Sequence, residues 1–244
     1  MEVDSLASQL RVTVNEELVQ HEDGSGPKVR FLRVEISNTR PVVEAAIARI
    51  ADTFWANEVV DEFIRQGFLT RAQSTIDSLA ASLESAIDNA ITSSTGEYVV
   101  SITAHCIVEA IYEYKALPLA EIIKEKKSGS PGFDYHHEKD GLLLLFGEAK
   151  YTSAGNAYNN AFKQIVGHVA AGKDEKEAVD LAHFITDDTK TNFLSGKKGF
   201  TAAFSTKGKS FDVAKLKDGI IRNDYFGKLL EHEELVVVAV DINE

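Results

Sequence analysis

The sequence predicts a mixed α/β fold, an α+β arrangement in which one mixed sheet carries helices on both faces. Three observations lead there. Apolar residues recur at helical spacing over several stretches, and two early runs are rich in β-branched residues. The centre of the chain holds Leu142-Leu143-Leu144-Leu145-Phe146, a run with no polar face. A strand apolar on both faces is normally buried between two layers.

The elements follow in order. Residues 10–14 and 29–36 read as strands separated by the turn sequence Asp23-Gly24-Ser25-Gly26-Pro27. Pro41 suits a first helical turn, and Val43, Ile47, Ile50, Phe54 and Phe63 form much of one apolar stripe. A second helix carries Ile76, Leu79, Leu83 and Ile87. A third begins near Ser94-Thr95-Gly96-Glu97, which has capping-box spacing, and runs to about Tyr114. Residues 132–137 and 142–150 read as strand, turn, strand. A helix over about 156–171 turns Phe162, Ile165 and Val169 inward, and Asp174 is expected to cap a helix reaching Phe184. A helix from Val213 and a strand over 235–242 end the sequence. The organisation divides near position 93: 1–93 is a β-strand and helical segment packed on the core, and 94–244 is the core that carries the chemistry.

Composition narrows the function. One cysteine, Cys106, excludes an internal disulfide and multi-cysteine metal sites, and its place in a helix stripe makes it core. The acidic N-terminus has no signal-peptide pattern, and no apolar run approaches the ~20 residues of a membrane span. No membrane association and a cytoplasmic location are expected. The net charge of −12 opposes broad field-driven binding to nucleic acid. Yet from Lys190 to Lys217 the only acid is Asp212, and Lys197, Lys198, Lys207 and Lys209 stand out as candidate contacts to a nucleic-acid backbone. The alternative is a solvated lysine-rich loop.

The chemistry concentrates in Gly132-Phe133-Asp134 and Phe146-Gly147-Glu148-Ala149-Lys150. Alternation along a strand puts Glu148 and Lys150 on one face. An acid and a lysine at the end of a core strand are unfavourable unless paired or used. Loop length decides whether Asp134 joins them. A two-residue loop, Asp140-Gly141, puts Asp134 opposite Gly147 and on the wrong face. A three-residue loop, Lys139-Asp140-Gly141, puts it opposite Phe146, one diagonal step from Glu148 on the same face. Three-residue loops often end on a left-handed residue, and Gly141 stands there. Asp134, Glu148 and the Ala149 carbonyl then suit Mg²⁺ or Mn²⁺, which would polarise a phosphate and acidify water, with Lys150 stabilising transition-state charge. A glutamate from the upstream helix would complete the set, and Glu97 and Glu109 are both candidates.

These residues are similar to the nuclease subunits of the Hachiman anti-phage system, in the PD-(D/E)XK superfamily. The likeness rests on Gly96-Glu97, on Leu117-Pro118-Leu119 leading to Gly132-Phe133-Asp134, and on the string from Leu145 to Tyr151, and it is concentrated over 96–172. The resemblance implies a restriction-endonuclease-like core. It implies a Mg²⁺-dependent deoxyribonuclease with Glu97, Asp134 and Glu148 as metal ligands and Lys150 as catalytic lysine. It selects Glu97 over Glu109. It also implies a superfamily 2 helicase as partner. The rival reading is a catalytically weak subunit that senses DNA or docks a helicase. Beside this set, His136 shares the Asp134 face and Gln164 lies on the following helix; both read as ordinary polar residues. No Walker motif or Gly-x-Ser-x-Gly elbow is present.

Overall fold

The framework is one seven-stranded mixed sheet. The structure, a computed structural model, describes residues 10–19, 26–87, 93–124, 132–152, 157–206 and 212–242. Most of the expected turn at 23–27, and both Lys207 and Lys209, lie outside them. Strand β1 (Arg11–Val19) pairs antiparallel with β2 (Lys28–Ile36). Next to β2 the sheet continues with β7 (Glu234–Ile242), β6 (Gly199–Thr206) and β5 (Leu143–Lys150), all parallel. Antiparallel β4 (Tyr135–Lys139) and the two-residue β3 (Lys115–Ala116) complete the far edge. Through β2, both described strands from the first ninety residues are hydrogen-bonded into the same sheet as the rest. Because β2, β7, β6 and β5 run parallel, their carboxyl ends share one edge, where open α/β sheets commonly hold their sites.

Alternation along the strands divides the core in two. On one face Leu145, Ala149, Ala203, Val236 and Val238 pack with Val99, Ile102 and Cys106 of helix α3 (Ser93–Tyr112). On the other, Leu144, Phe146, Phe200, Ala202 and Val237 pack with Phe162 and Ile165 of helix α5 (Ala157–Ala170). Helices therefore cover both faces, and Cys106 is buried core. Among the described residues no helix is long and apolar enough to cross a membrane.

Several elements differ from the expected ones. Helix α1 (Thr39–Ala51) is capped by Asn38, whose side chain accepts from the Arg40 N–H, and it buries Val42, Val43, Ala46 and Ile50. It stops before Phe54 because the Asp52 carboxylate takes the Phe54 N–H at 2.8 Å, and a 3₁₀ turn (Phe54–Glu58) follows. Phe54 and Phe63 are thus not on the α1 stripe: they are 76% and 89% exposed. Helix α2 (Glu62–Ile87) is capped by Asp61 and buries Phe68, Ala72, Ile76, Leu79 and Leu83 at spacings of three and four. The Ile87 and Ser94 side chains lie outside the described set, so the expected capping box is not visible.

The third expected helix ends at Tyr112 and is followed by β3 and a short α4 (Ala120–Lys124). Asp174 does not cap α6 (Lys173–Leu181). Gly172 holds that place with φ 62°, and the buried Asp174 side chain pairs with Lys198 instead. Helix α7 (Asp187–Leu194), strand β6 and helix α9 (Asp224–Leu229) were not expected from sequence, whereas α8 (Val213–Ile221) and β7 fall where expected.

Candidate active site

Strand β5 delivers two chemical side chains to a buried place. Leu144 and Phe146 face α5, and alternation carries Glu148 and Lys150 onto the same side. Beside Glu148 on β6 stands Ala202, and beside Lys150 stands Phe204. Glu148 is fully buried.

The hairpin register brings Asp134 closer than the sequence suggests. Tyr135 pairs with Gly147 and Lys139 with Leu143, so the loop is Asp140-Gly141-Leu142. Its length of three residues is as expected, but it sits one residue later, and the register shifts by two. Parity is preserved along the ladder, which ends with Tyr135 opposite Gly147 rather than opposite Leu145, so Asp134 lies just beyond it, nearer Glu148 than the expected register would put it. The shift is made possible by consecutive left-handed residues, Asp140 at φ 54° and Gly141 at φ 64°. Asp134 itself is tightly held. Its N–H donates to the Gly147 carbonyl at 2.8 Å, and its Oδ2 accepts from the Ala149 N–H at 2.8 Å.

Lys150 Nζ lies 2.8 Å from Glu148 Oε1 and 3.5 Å from Glu97 Oε1. Next to Glu97, the Tyr151 ring lies against Gly96, where any Cβ would overlap it, so helix α3 and the end of β5 approach closely here. On the other side of Glu148, His168 of α5 places Nε2 at 3.4 Å from Oε2, and Gln164 Nε2 is 3.3 Å from the same imidazole nitrogen. Neither Glu148 oxygen meets a well-aligned hydrogen-bond donor. Burial, then the neighbouring Asp134 charge, pushes the Glu148 carboxyl up to about 7, against the pull of His168 and Lys150. Burial lowers Lys150, but the charges of Glu148, Asp134 and Glu97 outweigh it and raise its pKa.

The sequence-derived set is therefore largely assembled: Asp134, Glu148 and Lys150 meet, with Glu97 reaching them through Lys150. Glu109 is elsewhere, paired with Arg49 at 2.7 Å. Among the described residues no three His, Cys, Asp or Glu side chains are gathered as a ligand cluster. Mg²⁺ seldom needs one, since it is commonly held by one or two carboxylates with water and substrate oxygens. A buried carboxylate whose ionisation is opposed by burial, beside a second acid, suits such a cation, so Asp134 and Glu148 fit it. Glu97 joins this place through Lys150, at 3.5 Å.

Four polar residues to which the sequence assigned no role have defined partners here. His168 was not singled out, although it stands three past Ile165 on the inward stripe of α5. His136 does not reach the carboxylates. It is fully buried, with Nε2 2.8 Å from Glu177 Oε2 on α6. His137 points to the opposite face and bonds the His105 carbonyl at 2.9 Å. Gln164, expected at the surface, is half-buried beside His168.

Of the four lysines proposed as backbone contacts, two are among the described residues, and neither stands here. Lys197 and Lys198 precede β6, at the opposite end of the sheet from Lys150. Lys190 pairs with Asp187, Lys198 with Asp174 and Lys217 with Glu16. No family model, no curated protein and no solved structure matches the chain.

Proposed function

We propose that this chain is a divalent-metal-dependent nuclease with a PD-(D/E)XK-type core, hydrolysing DNA phosphodiester bonds as the effector subunit of an anti-phage complex with a superfamily 2 helicase. One observation carries the enzymatic reading. Glu148 is buried without an aligned donor, beside Asp134 and 2.8 Å from Lys150, where its ionisation is unfavourable. Perturbed groups of this kind concentrate at functional sites. The Hachiman resemblance supplies the substrate class and the partner.

A bound Mg²⁺ or Mn²⁺ would withdraw charge from the scissile phosphate and acidify the attacking water. Asp134 and Glu148 are the residues to hold it, with the Ala149 N–H fixing the Asp134 carboxylate. Lys150 is a charged donor able to orient the water and to stabilise the extra negative charge on the phosphoryl oxygens. Water oxygen bonds to phosphorus and gives up a proton to solvent, while the P–O bond to the departing strand breaks with its electron pair staying on the leaving oxygen, which takes up a proton from solvent. Glu97 balances Lys150 before DNA arrives.

A second reading has its own support. With a net charge of −12 and three island lysines already paired, DNA affinity is weak on electrostatic grounds. That favours delivery of DNA by a partner, whether the subunit cuts or only senses. Incubation with supercoiled plasmid and Mn²⁺, with and without co-purified partner, separates the two. Cleavage abolished by EDTA, by Glu148→Gln and by Lys150→Ala supports the nuclease. Intact plasmid under both conditions overturns it in favour of the sensing subunit.

A further inference from the structure

We infer that Glu177 on α6 is a positioning residue for the candidate active site, holding the segment that carries Asp134. This rests on the nuclease reading for its functional meaning, but the geometry is independent of it. Glu177 is 6% exposed. Its Oε1 accepts from the Phe133 N–H at 3.0 Å, and its Oε2 lies 2.8 Å from His136 Nε2. One carboxylate thus grips the chain immediately before Asp134 and two residues after it.

The clamp takes Phe133, which lies outside the regular ladder. Regular β4 pairing starts only at Tyr135, and Phe133 leaves strand alternation to put its ring on the α5 face against Phe146 and His168. The Asp134 backbone is bonded on both sides, its N–H to the Gly147 carbonyl at 2.8 Å and its carbonyl to the Ala120 N–H at 3.3 Å. Glu177, from helix α6, fixes the Phe133 N–H that precedes it, and so helps set the direction from which the Asp134 side chain meets the Ala149 amide. The Phe133 ring stands 5.1 Å from the His168 ring, so the same anchored segment also supports the imidazole beside Glu148. Outer partners that orient a ligand are worth about 10–100-fold in metal affinity or activity.

The role is one of geometry rather than charge. A glutamine at 177 would keep an oxygen for the Phe133 N–H and offer its amide N–H to His136 Nε2, with the imidazole then carrying its proton on Nδ1. Leucine would offer neither. Three variants of the full chain test this: Glu177→Gln, Glu177→Leu, and Glu177→Leu with His136→Leu, the last leaving no buried imidazole without its partner.

The first measurement is amide hydrogen exchange by NMR at Ala149, referenced to Leu145 within the same strand. The second is calorimetric titration with Mn²⁺. The third is plasmid cleavage, resolved into kcat and KM. Both leucine variants should exchange the Ala149 amide at least tenfold faster relative to Leu145. They should bind Mn²⁺ about tenfold more weakly and lose kcat with KM for DNA unchanged. Glu177→Gln should stay within about twofold of wild type in all three. Wild-type Ala149 exchange in both leucine variants, or a glutamine variant as impaired as leucine, overturns the clamp. If the wild-type chain neither binds Mn²⁺ nor cuts DNA, the nuclease reading falls, while the Ala149 amide still decides whether Glu177 positions Asp134.

Discussion

The ring of Tyr135 lies directly over Gly147, and a Cβ built on that glycine would overlap the Cδ2–Cε2–Cζ edge of the ring. The two are cross-strand partners. A large aromatic follows Asp134 because the residue opposite has no side chain, and the glycine before Glu148 is required by the tyrosine rather than by its own backbone angles.

Gly147→Ala should therefore act through packing. The tyrosine is fully buried and cannot swing into solvent, so either the ring or β5 must shift. Overpacking of this kind costs about 1–3 kcal/mol. A lowered urea midpoint with unchanged slope is the expected result. Gly147→Ala with Tyr135→Leu should recover much of the loss, and failure of that rescue would show that the ring is not the obstacle.

Glu148→Gln should make the protein more stable above neutral pH. Its carboxyl sits at about 7 in the folded state against an ordinary 4.5, with burial the main cause. A raised folded pKa means that the native state holds the proton more tightly, so the associated stability is present below about 4.5 and is lost as pH rises through about 7. The loss amounts to about 1.4 kcal/mol per pKa unit, or up to about 3 kcal/mol in all. Thermal melts of wild type and Glu148→Gln at pH 4.5 and pH 8 should differ little at the first and favour the variant at the second. The same substitution should abolish cleavage. A variant less stable than wild type at pH 8 would mean that Glu148 is better satisfied than its surroundings indicate.

The site was legible because it uses local rules. Strand parity joins Glu148 to Lys150, and the glycine at 141 marks a three-residue loop that keeps Asp134 on their side. The register itself was not legible, because Asp140 also takes a left-handed angle and moves the loop by one residue. Strand β6 was missed for a different reason. Gly199-Phe200-Thr201-Ala202-Ala203-Phe204-Ser205-Thr206 lies between lysines, and its residues are mostly small. In the middle of the sheet, small residues are what the flanking layers demand, as Ala202 beside Glu148 shows. Glu177 was invisible for a third reason: an acid on an acidic helix reads as solvated until its partners, more than 40 positions away, are known.

His105 and His137 should set the acid limit of stability. Their rings, one on α3 and the other on β4, lie 4.9 Å apart between centroids in the core. Burial lowers His137 to about 3, and burial followed by the His137 charge drives His105 well below 6.5. For groups lowered in this way, stability is complete above about 6.5 and falls as pH drops toward the folded values. Each contributes up to about 1.4 kcal/mol per pH unit. Between 4.5 and 6.5 Glu148 acts in the opposite sense, but two histidines outweigh one carboxyl. The chain should therefore lose stability below pH 6.5, and more steeply below 4.5. Measured from pH 7 to 4, His137→Leu should show a flatter decline than wild type; a parallel decline would assign the acid limit to other groups.

Lys198 should prove to be a structural cation rather than a DNA contact. It is held by Asp174, which is 1% exposed, at the amino end of β6. Five residues of strand separate that end from the position beside Lys150, a distance of about 17 Å. Lys198→Ala strands a buried carboxylate, and breaking a buried pair from one side costs about 3–5 kcal/mol. Lys198→Ala with Asp174→Ala removes both charges and should restore much of that loss. The exposed Lys197 has no such duty, and Lys197→Ala should leave stability unchanged. Each phosphate contact adds about −0.9 to the slope of log affinity against log salt concentration. The double variant should keep the wild-type slope, measured by fluorescence anisotropy on a DNA duplex in the presence of whichever partner confers binding. A slope shallower by about one unit would instead show that Lys198 leaves Asp174 to meet a phosphate, and would return the lysine island to the DNA-binding surface.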